Sequence, residues 1–151
     1  MIHIEGEIVI NRPPEEVFDV VADERNEPKY NPQMLRADLV TPEPIGVGTQ
    51  FHAEAVTMGR KSEMVIEFTA YDRPRRLASA THMATMEFEG ALTFVSVPDG
   101  TLMRWTWDLR PRGFLKLMSP LIARMGRRNE RACWTSLKRY LEATPAPQPQ
   151  S

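Results

Sequence analysis

The order of predicted elements indicates an α+β fold in which a curved antiparallel sheet of about seven strands wraps one long C-terminal helix. Apolar residues recur at every second position through most of the chain, in segments separated by turn residues, which is typical of half-buried strands. After Gly113 the apolar spacing changes to that of a helix. This helix is the only large apolar partner available to the sheet, so the two must face each other and can trap a hollow between them.

The first strand and two short helical segments are predicted near the start of the chain. Isoleucines alternate with polar residues over residues 2–10. Pro13 and Pro14 are then followed by two glutamates and an apolar run, which is a strong helix start. Further along, Pro28 and Pro32 permit at most a turn or a second short helix.

Six more strands are predicted, each bounded by turn residues. Met58 and Gly59 mark a hairpin turn, and Pro98, Asp99 and Gly100 mark another. The last strand shows the cleanest alternation, with tryptophans and other apolar residues on one side and charged residues on the other. The predicted spans are residues 35–41, 49–57, 62–71, 77–81, 86–97 and about 103–110.

The long helix is predicted over about residues 113–142. Pro120 either kinks this helix or marks where a preliminary turn ends and the main helix begins. Residues 143–151 are polar and interrupted by prolines, so they are predicted to be a disordered tail. We therefore expect a single domain over residues 1–142.

Composition restricts the classes of protein to which the chain can belong. The formal net charge of −1 over 151 residues gives no overall attraction to nucleic acid, and we expect no nucleic-acid partner. Cys133 is the only cysteine, which excludes a disulfide framework and favours a reducing compartment. No stretch is apolar for long enough to span a bilayer, and the first residues do not resemble a signal peptide. We expect a cytoplasmic protein without stable membrane insertion.

Five segments together carry a resemblance to a known superfamily. They are Ile8–Asp23, Pro28–Pro32, Gly46–Thr49, Gly100–Trp107 and Leu137–Leu141. In these segments and in the order of its elements the chain resembles the START-like, Bet v 1-type helix-grip superfamily, specifically its polyketide cyclase/dehydrase-related (SRPBCC) branch. The resemblance implies a cavity between the sheet and the C-terminal helix. It also implies a small hydrophobic ligand, such as a lipid, a polyketide or an aromatic compound, held for transport, sequestration or sensing without a cofactor.

The apolar positions of the strands and of the helix supply the candidate ligand-binding residues. Methionine is frequent among them, and its flexible side chain suits a surface that must adapt to varied apolar shapes. Asn129 is the polar candidate, because it lies on the apolar stripe of the helix. The alternative is that these side chains fill a close-packed core. The candidates are Met64, Ile66, Phe68, Phe88, Leu92, Phe94, Met103, Trp105, Trp107, Met125, Asn129 and Cys133.

No pattern of catalytic residues is evident in the sequence. The acidic residues of the strands, such as Glu67, Glu89 and Asp108, fall on the side opposite the apolar residues. The three histidines are dispersed, which argues against a metal site. Two alternatives to a ligand carrier stay open, namely a polyketide cyclase or dehydratase and a protein-interaction or regulatory module. The interaction module predicts a filled interior and a large exposed apolar patch. The sequence also leaves a homodimer open.

Overall fold

The computed structural model describes residues 1–57 and 59–143, which form seven strands and three α-helices. The helices are α1 (Pro14–Val21), α2 (Glu27–Tyr30) and α3 (Ser119–Ala143). A 3₁₀ turn, Glu24–Asn26, links α1 to α2, and a second one, Gly113–Met118, precedes α3. The strands are β1 (Ile2–Ile10), β2 (Met34–Leu39), β3 (Gln50–Thr57), β4 (Arg60–Asp72), β5 (Arg76–Met83), β6 (Met86–Val97) and β7 (Gly100–Pro111).

The strands form one antiparallel sheet in the order β1-β7-β6-β5-β4-β3-β2. Neighbours in sequence are therefore neighbours in the sheet, except that β1 pairs with β7 at one edge. The segment containing α1 and α2 crosses from β1 at that edge to β2 at the other. The predicted helix-grip architecture is confirmed.

Bends in the strands allow the sheet to curve. The register between β4 and β5 shifts between Phe68 and Ala70, and that between β2 and β3 shifts between Met34 and Arg36. Such irregularities increase the local twist and bend of a strand. At Gly90 of β6 the backbones are so close that an added Cβ would fall on the carbonyl oxygen of Thr106.

Helix α3 begins where the sequence offered two alternatives. Pro120 is the second residue of α3, and the preceding residues form the 3₁₀ turn Gly113–Met118. A proline in the first turn of a helix removes no hydrogen bond, because the N–H groups there have no partner within the helix. Pro120 therefore marks a helix start and not a kink. Ala143 is helical, whereas residues 144–151 of the predicted tail lie outside the described part of the chain.

The core occupies the concave side of the sheet, under α1 and α3. Phe18 of α1 packs edge-on against Phe94, with ring centroids 5.3 Å apart, and also against Tyr71 at 5.2 Å. Trp134 of α3 packs against Trp105 of β7 with a centroid distance of 6.2 Å. A second, smaller cluster joins the start of α3 to β1 and β7 through Ile2, Ile4, Leu109 and Ile122.

Polar contacts fix the end of α3 to the end of β1. The Asn11 N–H donates to Glu142 Oε2 at 3.1 Å, and Lys138 Nζ donates to the carbonyl oxygen of Val9 at 2.9 Å. Between these contacts and the smaller apolar cluster, α3 is held along the length of the sheet. A space remains between the sheet, α3 and the segment that contains α2.

Candidate functional site

A cavity of about 250 Å³ lies between the sheet, α3 and the segment that contains α2. All seven strands contribute to the lining, and their side chains there are mostly apolar. Helix α3 contributes one mixed face. The apolar lining from the sheet includes Met64, Ile66, Leu77, Met83, Phe88, Leu92, Trp107 and Leu109.

Eight of the twelve predicted site residues line this cavity. They are Met64, Ile66, Phe88, Leu92, Trp107, Met125, Asn129 and Cys133. Their position on the inner side of the sheet and of α3 follows from the alternation that predicted them. Ligand binding by these residues stays a prediction.

The other four predicted residues are buried in the core and do not line the cavity. Phe68 and Phe94 are covered by the aromatic cluster around Phe18. Trp105 is covered by Trp134 on one side, and the Arg131 guanidinium lies 5.6 Å from its ring centroid. The fourth, Met103, is fully buried in the same core. Strand alternation identifies inward positions, but it does not show which of them a helix covers.

Three carboxylic acids line the cavity, and the sequence analysis did not single them out. Glu24 belongs to the 3₁₀ turn, Glu27 begins α2, and Glu130 lies in the middle of α3. Glu130 precedes Trp134 by four residues, which places both on one face of the helix. That spacing is the sequence pattern from which an inward position of Glu130 could have been predicted. The other two lie in a polar, irregular segment whose residues resemble ordinary surface residues.

Glu130 is held by two tryptophans. The indole Nε1 of Trp107 donates to Glu130 Oε2 at 2.9 Å, and the Nε1 of Trp134 donates to the same oxygen at 2.8 Å. Burial raises the pKa of Glu130 to about 7, although the two indole bonds oppose that change. Glu130 therefore takes up and releases protons near neutral pH.

Glu24 and Glu27 form an acidic pair near Glu130. Burial raises the pKa of Glu27 to about 7, and the negative charge of Glu130 acts in the same direction. Burial raises the pKa of Glu24 well above its usual range, and the neighbouring charge of Glu27 adds to this effect. Like-charged carboxyl groups in one site cannot all ionise easily. Ionised Glu27 therefore disfavours the ionisation of Glu24.

Two hydroxyl groups line the opposite, sheet side of the cavity. Thr81 and Ser79 are both buried, with Thr81 only 3% exposed. Within residues 1–57 and 59–143, neither hydroxyl forms a hydrogen bond with another protein group, and both residues border the cavity. Buried hydroxyl groups are normally hydrogen-bonded. The cavity thus offers two unsatisfied polar points across from the acids.

The Cys133 thiol also lines the cavity and is unreactive by environment. Burial raises the pKa of this thiol well above its usual range, and the neighbouring carboxyl groups add to the effect. The reactive form of cysteine is the thiolate, which this environment disfavours. We therefore assign Cys133 to the apolar lining.

A shallow groove on the outer surface of α3 has the opposite charge. Arg124, Arg127, Arg128, Arg131 and Arg139 line it. In the part of the chain that the structure describes, no acidic side chain forms a salt bridge with any of these five arginines. Helix α3 therefore presents an acid to the cavity and a row of arginines to the outside.

Among the described residues, no group of three or more histidine, cysteine, aspartate or glutamate side chains has the arrangement of a metal site. No helix among them is long and apolar enough to cross a membrane.

Comparison with protein families gives one match over almost the whole described chain. The model of a family described as "Polyketide cyclase / dehydrase and lipid transport" matches residues 1–142. A search of curated protein sequences gives no significant match.

Solved structures share this fold at low sequence identity. A crystal structure of TTHA0849 from Thermus thermophilus aligns with a TM-score of 0.82 and 22% identity, covering 95% of this chain and 99% of that one. A START superfamily protein from Mycobacterium smegmatis aligns with a TM-score of 0.82 and 12% identity, covering 93% and 97%. The Zhui aromatase/cyclase from a Streptomyces species aligns with a TM-score of 0.81 and 14% identity, covering 93% of each chain. At these identities the likeness shows a common fold and does not transfer a function.

Proposed function

Because the chain belongs to the polyketide cyclase/dehydrase and lipid transport family, we propose that it binds a small hydrophobic molecule in the cavity between the sheet and α3. The binding would serve transport, sequestration or sensing of that molecule. The observation that carries this proposal is a cavity of about 250 Å³ whose strand lining is mostly apolar. Apolar burial supplies the binding free energy in such a site, at about 25 cal/mol per Å² before the costs of ordering.

The size of the cavity limits the ligand. An apolar cavity of about 150 Å³ holds one benzene ring, and pockets for drug-sized molecules start at about 300 Å³. A volume of about 250 Å³ therefore suits one or two aromatic rings or a short branched chain. Within the class of lipids, polyketides and aromatic compounds, this favours a small aromatic compound over a diacyl lipid.

Calorimetric titration with naphthylmethanol, a neutral two-ring alcohol, tests the proposal. Ala55 lines the cavity with a small side chain, so Ala55→Leu narrows the cavity and should weaken binding at least tenfold. The matched control is Met103→Leu, a conservative change in the core outside the cavity, which should leave the affinity within twofold. Circular dichroism would check that both variants are folded. Unchanged affinity in folded Ala55→Leu protein would contradict binding in this cavity.

Native mass spectrometry of the freshly purified protein gives an independent test. We expect a stoichiometric apolar passenger, which denaturation would release for identification. An empty protein that also fails to bind any one-ring or two-ring compound would contradict the proposal.

A second candidate function is proton-transfer catalysis of the cyclase or dehydratase type. The pKa values of Glu27 and Glu130 near 7 favour it, because a general acid or base works best when its pKa is close to the working pH. The test is incubation with a β-polyketone thioester. If Glu130 acts as acid or base, Glu130→Gln should reduce turnover at least a hundredfold and leave affinity within twofold. Equal turnover in both proteins would exclude that role.

The interaction module, the third function considered, requires a filled interior. A cavity of about 250 Å³ does not support it. Phe114, Leu117 and Leu121 are exposed near the start of α3, but they are few and are flanked by charged residues. We therefore do not propose this function.

A further inference from the structure

The cavity is lined by three carboxyl groups and by no positively charged side chain among the described residues. Glu24, Glu27 and Glu130 line it, and the described lining residues include no lysine, arginine or histidine. A buried carboxylate is normally paired with a cation or held by several hydrogen-bond donors. Here Glu130 accepts two indole N–H groups, and Glu27 is hydrogen-bonded by Glu24 and by the Asn31 amide, whose Nδ2 lies 3.5 Å from Glu27 Oε2.

The missing counter-charge identifies a class of ligand. We propose that the cavity takes a small apolar molecule with a basic nitrogen, bound as its cation between Glu27 and Glu130. This inference rests on the proposed function, namely that the cavity holds a hydrophobic ligand. It adds the chemical group by which that ligand is selected.

The sheet side of the cavity supplies an independent observation. Thr81 is only 3% exposed, it lines the cavity, and its hydroxyl forms no hydrogen bond with another described residue; the same holds for Ser79, which is 9% exposed. The apolar side chains of Met64, Phe88 and Leu92 also line the cavity. A ligand that carries an oxygen or a second nitrogen away from its basic group would satisfy these hydroxyls. The lining as a whole thus matches an aromatic amine with a second polar group.

The same charges disfavour anionic ligands. A carboxylate or phosphate in this cavity would meet three acids and no compensating cation, so both its desolvation and its repulsion would be unfavourable. Fatty acids and phosphorylated molecules are therefore poor ligands. A neutral alcohol of the same shape should bind with intermediate affinity, because it carries no charge that the acids could attract or repel.

Proton release accompanies the binding of a cation here. In the empty cavity the pKa of Glu130 is about 7, so this group is partly protonated at neutral pH. The groups facing it are Glu24, Glu27, Tyr30 and Cys133, from the 3₁₀ turn, α2 and α3, and none of them brings a positive charge. A bound cation stabilises the carboxylates, so their protons leave as the ligand enters. Binding of the cation should weaken below neutral pH.

Three matched probes separate charge from shape. Naphthylmethylamine, naphthylmethanol and naphthoic acid share one ring system and are cationic, neutral and anionic at pH 7.5. By calorimetry we expect the amine to bind at least tenfold more tightly than the alcohol, and the acid to bind at least tenfold more weakly. Titrations in two buffers of different ionisation enthalpy should show proton release with the amine and none with the alcohol.

Variants assign the preference to the two acids. Glu130→Gln keeps an acceptor for both indoles, and Glu27→Gln keeps one for Asn31, so both proteins should fold. The double variant should bind the amine and the alcohol equally. Glu63→Gln is the control, because Glu63 is exposed and lies outside the cavity lining.

Each outcome has one meaning. Equal binding of amine and alcohol by the parent protein would overturn the inference and leave the proposed function standing. An amine preference that survives in the double variant would also overturn it. Failure of all three probes to bind would overturn both the inference and the proposed function.

Discussion

Glu130 connects the sheet to the C-terminal helix through one carboxylate oxygen. That oxygen accepts the indole N–H of Trp107 from β7 and that of Trp134 from α3. Each indole has a single donor and no other way to satisfy it in an apolar site. The residue thus has a structural task, which is to accept two hydrogen bonds, beside the chemical task proposed for its charge.

The two tasks are separable by substitution at pH 5, where the carboxyl group is protonated. Glu130→Gln retains the acceptor oxygen, so its free energy of unfolding should lie within about 0.5 kcal/mol of the parent. Glu130→Leu leaves two indole N–H groups without an acceptor and should lose about 2 to 4 kcal/mol. Urea unfolding followed by tryptophan fluorescence measures both. Equal stability of the two variants would show that the indole bonds contribute nothing.

Gly90 matters at the scale of the sheet. It pairs with Trp107, and the Thr106 carbonyl oxygen occupies the space where a side chain would start. The backbones of β6 and β7 therefore approach each other closely at this point. A backbone atom cannot move aside as a flexible side chain can.

Gly90→Ala should therefore destabilise the protein strongly, by about 3 kcal/mol or more. The control is Gly46→Ala, where an added Cβ meets nothing within 4 Å and φ is not positive. We expect that control to be neutral or slightly more stable, because alanine restricts the unfolded chain. Thermal unfolding by calorimetry distinguishes them. A Gly90→Ala protein as stable as the parent would mean that the strands can separate without cost.

The arginine row on α3 is a local source of instability. Arg124, Arg128 and Arg131 are spaced by four and three residues, so their charges are neighbours on one helix face. Arg128→Glu replaces this repulsion by attraction and should stabilise the fold by about 0.5 to 1 kcal/mol at low ionic strength. Arg128→Gln should give roughly half of that gain. In urea unfolding both gains should shrink in 0.5 M salt, and a gain that is independent of salt would rule out this electrostatic cause.

The elements were largely predictable from sequence, whereas the polar part of the site was not. Alternation in β7 and the proline at the start of α3 depend on local geometry, which a short stretch of residues determines. The role of Glu27 depends on how α2 packs against α3, which no local pattern encodes. In the same way, Trp105 and Trp107 share one phase of β7, yet Trp134 covers the first and the second lines the cavity. Tertiary packing decides between core and cavity at such positions.

At the scale of the whole molecule, the buried acids shape the pH dependence of stability. The pKa values of Glu24, Glu27 and Glu130 are higher in the folded protein than their usual value near 4.5. At pH values between the usual pKa and the raised pKa, the folded protein holds protons that the unfolded protein has lost. The contribution of these groups to the free energy of unfolding is therefore fully present below about pH 4.5. It is lost as the pH rises through their pKa values in the folded protein.

We expect the free energy of unfolding to fall by about 2 to 4 kcal/mol between pH 5 and pH 8. The triple variant Glu24→Gln, Glu27→Gln, Glu130→Gln should show a nearly flat profile over this range. When the pH is lowered below 4.5, the free energy of unfolding should also decrease, but only slightly, because other groups become protonated. The lowered pKa values of Asp23, beside Arg25, and of Glu142, beside Lys138, give stability that is lost on acidification, and these groups are largely exposed. Stability of the parent that increases from pH 5 to pH 8 would contradict this account.

The pairing of β1 with β7, and of the end of β1 with the end of α3, has a consequence for biosynthesis. A ribosome delivers β1 first, yet the strand beside it in the sheet appears only about a hundred residues later. Until α3 has left the exit tunnel, the apolar side of the sheet lacks the cover that α3 provides. The nascent domain is therefore prone to aggregation until α3 emerges. A molecule that stabilises the finished cavity can act only once α3 is available, because α3 supplies one wall of that cavity.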